Sequence, residues 1–315
     1  MNILIAGGSG FIGTALTNLL VHNGHRVIIL SRHAHVKDIA QLDASLNPGL
    51  LYWDGAHPGE WVTAVQTSEA IINLAGENIG GKSILEVATK RWTPQRKETL
   101  RSSRISSGKA LLQAIKETHA KPRVFIQASA VGYYGSHPNR EMDEDAPAGE
   151  DFLAKLCVEW EDATAELDQL GIRRVVTRIA GVVMSLNGGS LPFILLPYRL
   201  FLGGPLGNGR QWVSWIHLQD LVRSISFLID QPNANGPFNL CAPQPVTSRE
   251  LSKIIGKIMK RPSSFPTPEF VFRLLFGEKA ALLLASQKQV PKRLLALGFE
   301  YEYPTAESAL QNLLK

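Results

Sequence analysis

Gly7, Gly10 and Gly13 stand three residues apart, directly after the apolar run Ile3-Leu4-Ile5-Ala6. Ile12, Ala15, Leu16, Leu19 and Leu20 follow at helical spacing, so the pattern predicts strand, glycine turn, helix. Such a turn suits one chemistry well, the binding of a dinucleotide pyrophosphate. The helix start offers unspent N–H groups and the positive end of its dipole to the phosphates. One glycine permits the tight turn, one lets the pyrophosphate approach, and one lets helix pack closely on strand. Phe11 and Ile12 lie inside the turn and share its backbone. The predicted phosphate site is therefore Gly7, Gly10, Phe11, Ile12 and Gly13.

The second apolar run, Val27 to Leu30, ends in Ser31-Arg32. An NAD-preferring site places a carboxylate there for the ribose hydroxyls. This chain has a hydroxyl and a guanidinium, which fit a 2′-phosphate and so predict NADP(H). The plainer alternative for Arg32 is a solvated residue at a strand end. Asp54 closes a third apolar run, Leu50 to Trp53. Leu74, Ala75 and Gly76 close a fourth and are small enough there for cofactor and backbone to meet. On the helix predicted to begin at Thr93-Pro94, Arg104 is the residue expected to turn inward to the cofactor, while Arg96, Lys97 and Arg101 face water. Val183 ends the sixth run and completes the cofactor set.

The elements that must position these residues alternate strand and helix along the first half of the chain, which predicts a doubly wound parallel sheet. Val124 to Ala128 is the fifth strand. A long helix is expected after Asp151, with Phe152, Leu156, Trp160, Ala163, Leu167 and Leu170 as its apolar stripe and Gly171 at its end. The 315 residues, 44% hydrophobic and 19% charged, can bury a sizeable core, which excludes general disorder. A net charge of +5 fits anionic small molecules as well as nucleic acid. The basic run Lys253, Lys257, Lys260 and Arg261 lacks interleaved aromatics, so a solvated helix face is expected and no nucleic-acid partner. Two distant cysteines, Cys157 and Cys241, support neither a metal cluster nor a disulfide framework and point to the cytoplasm. No run reaches the ~18 apolar residues of a membrane span, so no membrane partner is expected.

These features together resemble the extended short-chain dehydrogenase/reductase superfamily, in its atypical epimerase-family branch. The resemblance rests on Gly7 to Gly13, Ser31-Arg32, Asn73 to Ile79, Ser129 to Gly135, Gly203 to Gln211 and Trp215 to Asp220. The tail around Pro291 to Phe299 adds a C-terminal segment of DUF1731 type. It implies an α/β fold, a Rossmann-type NADP-binding core over residues 1–183, with 216–242 returning to it. Segments 184–215 and 243–315 then form a smaller C-terminal substrate lobe. It further implies an oxidoreductase or epimerase-like enzyme acting on a small molecule, with a homodimer as the expected assembly.

The departure from the pattern is in the catalytic residues. Active members use Ser, Tyr and Lys, with the last two spaced Y-x-x-x-K. The resemblance places Lys155 at the lysine position and Asp151 at the tyrosine position, and this helix carries no tyrosine. Tyr133 or Tyr134, on the loop after the fifth strand, is then the replacement, or both pack that loop. Ser129 either binds a substrate carbonyl or caps the strand. Lys155 either holds a ribose or pairs with Glu159 one turn on. His217 and Asp220 read as a strand-to-helix junction. The missing tyrosine leaves a second function open, a non-catalytic NADP(H) sensor.

Overall fold

The computed structural model describes residues 1–32, 42–43, 48–81, 86 and 91–315, apart from the Leu275 side chain. Its first five strands are β1 (Asn2–Ala6), β2 (Arg26–Ser31), β3 (Gly49–Tyr52), β4 (Ala70–Asn73) and β5 (Val124–Ala130). Beyond them come β6 (His137–Met142), β7 (Arg173–Ile179), β8 (Val182–Met184), β9 (Trp212–Val213), β10 (Trp215–His217) and β11 (Gly236–Leu240). Seven of these form one sheet in the order β11-β7-β5-β4-β1-β2-β3, every neighbouring pair parallel. The chain moves outward from β1 to β3 and then returns across β1 to start β4. That reversal leaves a crevice beyond the carboxyl ends of β1 and β4, the place where such sheets bind ligands.

The two-residue period of a strand explains the layers. Ile3 and Ile5 of β1 point to one face, Leu4 and Ala6 to the other. The first face packs on α1 (Phe11–His22) and α6 (Leu218–Asp230) through Leu16, Leu20, Leu221 and Ile225. The second packs on α2 (Val62–Thr67) and α3 (Pro94–Glu117) through Ala64, Val65, Leu111 and Ile115. Thr93 caps α3 by accepting from the Arg96 amide, with Pro94 opening the helix. A separate smaller core joins Met184 and Trp215 to α5 (Leu191–Arg199), α7 (Ser248–Met259) and the terminal helix Ala306–Leu314.

One expectation changes. The helix after Asp151, α4 (Phe152–Asp162), ends near Ala163, and a short 3-10 turn covers Ala165–Leu170 before left-handed Gly171. Thr164 is buried at that break, its hydroxyl reaching Gln127 and the Glu161 carbonyl, and this local alternative to the helical ladder stops the helix. Trp215 lies wholly within the small core, its indole N–H on the Gln244 carbonyl.

Candidate active site

The turn after β1 is built by contact with the loop after β4. Gly7 has φ +77°, and a Cβ there would lie 2.8 Å from the Leu74 carbonyl carbon and the Ala75 nitrogen. A Cβ on Gly13 would lie 2.3 Å from the Gly7 oxygen, so α1 can press on the turn only through glycine. The Gly10 amide donates to Gly7, and Gly10 opens α1 with no side-chain cap. The first-turn amides, around Phe11 and Ile12, are thus free of side-chain competition for a phosphate. Leu74 donates its amide to Ala6, and Ala75 donates to the Asn73 side chain. Gly188 and Gly189 fold over Phe11, and a Cβ on Gly189 would lie 2.8 Å from the Val183 oxygen, which brings buried Val183 near Phe11.

At the end of β2, Ser31 is buried and donates to the Ser9 hydroxyl at 2.9 Å. Arg32 stands 73% exposed beside it, with Glu77 4.0 Å away. A carboxylate therefore does approach this corner, brought by the β4 loop rather than by β2. Glu77 is held more closely by Arg96, at 3.3 Å. Asp54 forms a tight exposed turn, accepting the amides of Ala56 and His57 and the His57 ring. Those bonds, the His57 amide first, hold its carboxyl down at about 2.

Arg104 turns inward from α3 and is 6% exposed. Its Cγ and guanidinium carbon lie 3.2 Å from where a Gly76 Cβ would be. One nitrogen donates to the Leu100 carbonyl, the guanidinium stacks over Trp160 at 4.8 Å, and Nε has no partner. No carboxylate pairs with it among the described residues, and burial lowers its pKa to about 10. A buried cation with an orphaned donor beside a cofactor loop is a site for an anionic or carbonyl oxygen.

Ser129 is fully buried at the end of β5 and donates to Glu161 of α4 at 2.6 Å. Glu161 also takes both arms of Arg178 from β7, each at 3.0 Å. Arg178 in turn donates to the Tyr134 hydroxyl, which donates to Asn239 of β11 at 2.7 Å. Burial alone would lower the Arg178 pKa, but the Glu161 carboxylate overrides it and holds it above the ordinary value. Tyr134 is 1% exposed, and burial pushes its phenol well above the usual range. It is a strut of this network. Tyr133 differs: it is half-buried, lies over the Arg178 guanidinium 3.4 Å from the ring centroid, and its hydroxyl bonds nothing among the described residues.

Lys155 points into solvent, and Glu159 pairs instead with Arg101 of α3. Asp151 caps α4 by accepting the Ala154 amide. The i, i+4 pair that faces the loop after β5 is Leu153 and Cys157, both packed on Gly132. Cys157 is buried, its Sγ toward the Ala130 carbonyl, and burial pushes its thiol up to about 12. The inward positions of this helix thus hold an aliphatic and a protonated thiol. Glu161, Arg178 and Asn239 escaped the reading of the sequence. A visible signal was Arg178 itself, a charge inside the buried central run Val175 to Ile179.

A doubly wound parallel sheet, a glycine turn at its reversal point and a helix facing the β5 loop define an extended short-chain dehydrogenase/reductase. The family model of the NAD dependent epimerase/dehydratase family matches residues 3–241, and that of the domain of unknown function DUF1731 matches 267–313. The chain belongs to the NAD dependent epimerase/dehydratase family. It is 36% identical to the epimerase family protein YfhF of Bacillus subtilis, over all of this chain and 98% of that one. It is also 36% identical to mouse epimerase family protein SDR39U1, with both chains covered completely. The crystal structure of human SDR39U1 (isoform 2) with NADPH superposes with a TM-score of 0.85 at 33% identity, covering 100% of this chain and 99% of that one.

Proposed function

We propose that the protein is a cytoplasmic NADP(H)-dependent oxidoreductase or epimerase-like enzyme acting on a small organic molecule. The observation that carries the reading is Tyr133. Its hydroxyl is unengaged on the loop after β5, and its ring lies over the guanidinium of a buried polar network that includes Ser129. Buried ion pairs are weak devices for stability, and their placement at a sheet's carboxyl edge favours a functional role. The Gly7–Gly13 turn fits a pyrophosphate because its glycines let the loop after β4 and α1 close tightly around it with uncapped amides at the start of α1, and human SDR39U1 carries NADPH in its crystal structure. Ser31 and Arg32 would hold the 2′-phosphate, while Leu74 to Gly76, Arg104 and Val183 would wall the remainder. When bound, NADP(H) supplies or accepts a hydride at the nicotinamide ring. Tyr133 would then hold or move the proton at the substrate oxygen, with Ser129 fixed by Glu161 beside it.

Leu153 and Cys157 favour a second reading, a protein that senses NADP(H) without turning it over. Neither side chain reproduces a tyrosine–lysine acid–base pair. Calorimetric titration with NADPH, NADP⁺ and NADH, followed by stopped-flow oxidation of bound NADPH against pooled carbonyl compounds, separates the two. The enzyme reading expects oxidation by at least one pool, lost in Tyr133→Phe while binding persists. Binding with no oxidation by any pool selects the sensor.

A further inference from the structure

Helices α5 and α7 end side by side in an unusual way. At the end of α5, Leu202 donates its amide to Pro197 and Phe201 to Tyr198; at the end of α7, Arg261 donates to Gly256 and Lys260 to Lys257. Both are helix stops whose left-handed residue is ordinarily glycine. Here those residues are Phe201 (φ +61°) and Lys260 (φ +55°), the two non-glycine residues with positive φ among the described residues. Each stop therefore keeps a side chain in a conformation that disfavours one, and both side chains belong to the same surface. The Arg261 guanidinium lies 4.3 Å from the Phe201 ring centroid, and the Phe265 amide donates to Gly203, which zips the two segments together.

That surface is apolar at its centre and basic at its rim. Leu200, Phe201, Leu202 and Phe265 are 53–61% exposed. Arg199, Lys260 and Arg261 are exposed around them, and Lys253 continues the rim along α7, where Lys257 is paired with Glu307 of the terminal helix at 2.9 Å. No Asp or Glu occurs between 199 and 219 or between 251 and 268. A second copy of the chain docked face to face would set cation against cation. Nucleic acid would leave the two projecting leucines without a partner, because bases stack on rings and not on aliphatic chains.

We propose that this patch docks on an anionic lipid bilayer, with Leu200, Phe201 and Leu202 entering the acyl boundary and the basic rim meeting lipid phosphates. Aliphatic and aromatic insertion supported by cations is the chemistry of peripheral attachment. The inference is independent of the reaction catalysed, and it revises the expectation of no membrane partner only for the surface: among the described residues no helix is long and apolar enough to cross a bilayer.

Co-sedimentation with vesicles of phosphatidylcholine, with and without phosphatidylglycerol, tests it. Binding is expected only with phosphatidylglycerol, weakening with salt and by about five-fold for each cation removed in Lys260→Gln and Arg261→Gln. Phe201→Gly separates docking from folding, because it relieves the left-handed strain. It should raise the melting temperature while weakening vesicle binding by about ten-fold. Equal binding to both vesicle types, no binding to either, or a Phe201-dependent dimer that ignores vesicles would each overturn the proposal. So would binding of nucleic acid in place of vesicles that Phe201→Gly leaves intact.

Discussion

Ser129 and Glu161 share a 2.6 Å hydrogen bond in which the serine hydroxyl is the donor, and the same carboxylate holds Arg178 by two further bonds. The serine of the site is thus fixed from behind by a charge that sequence spacing alone does not connect to it. Removing that charge in Glu161→Gln leaves Arg178 buried with Tyr134 and backbone as its remaining partners. Breaking a buried pair in this way should cost about 3–5 kcal/mol in urea denaturation, and the double variant Glu161→Gln/Arg178→Met should recover a large part of it. A single-variant loss below ~1 kcal/mol would mean that the pair is solvated in solution.

The phosphate turn was legible because its demands for glycine are local, a left-handed backbone at Gly7 and a contact of Gly13 on the Gly7 oxygen, and because apolar runs mark strands buried on both faces. The inward turn of Arg104 was not encoded by spacing, because Lys97, Arg101 and Arg104 share one face of α3 and only Arg104 is buried. Arg96, expected in water, is instead held on the β4 loop by Glu77 and the Asn78 carbonyl. The register of α4 was not legible. Lys155 and Cys157 differ by two positions, and an alignment of residue types favours the lysine, while the face packed on Gly132 is set by tertiary contact. The network fails for the same reason: Glu161, Arg178 and Asn239 lie on three elements far apart in the chain, and no local pattern encodes their meeting.

Arg32→Ala isolates the 2′-phosphate. The Arg32 side chain is largely exposed and only loosely paired with Glu77, so its loss should leave stability within about 0.5 kcal/mol. A charge-assisted bond to phosphate is worth about 1.5–3 kcal/mol, so NADPH affinity should fall by roughly 10- to 100-fold while NADH affinity stays nearly constant. Calorimetric titration of both nucleotides reads the difference. Equal losses would remove Arg32 from the phosphate site.

Arg104→Met separates a ligand-binding cation from a packing one. The guanidinium is buried without a carboxylate, and Nε is orphaned, so a neutral side chain of similar length relieves desolvation. The melting temperature of the ligand-free protein should rise, and NADPH affinity should fall by about tenfold. A variant that loses stability while NADPH affinity stays unchanged would show that Arg104 serves Trp160 and Leu100 alone.

His217 gives the fold a pH dependence of definite sign. Its Nδ1 accepts the Gln219 amide and caps α6, its ring stacks on Tyr303, and burial lowers its pKa despite nearby Asp220. An imidazolium has no acceptor, so protonation would destroy the cap. Below the ordinary value near 6.5 the unfolded chain takes a proton that the folded chain resists. The contribution of His217 is therefore complete above pH ~6.5 and is lost as pH falls from there toward its lowered folded value. His217→Asn keeps an acceptor for the Gln219 amide but cannot titrate. Its stability by denaturant titration should fall less than that of the natural protein between pH 7 and 5, roughly these limits of the histidine range. Parallel profiles for the two proteins would assign the acid loss to other groups.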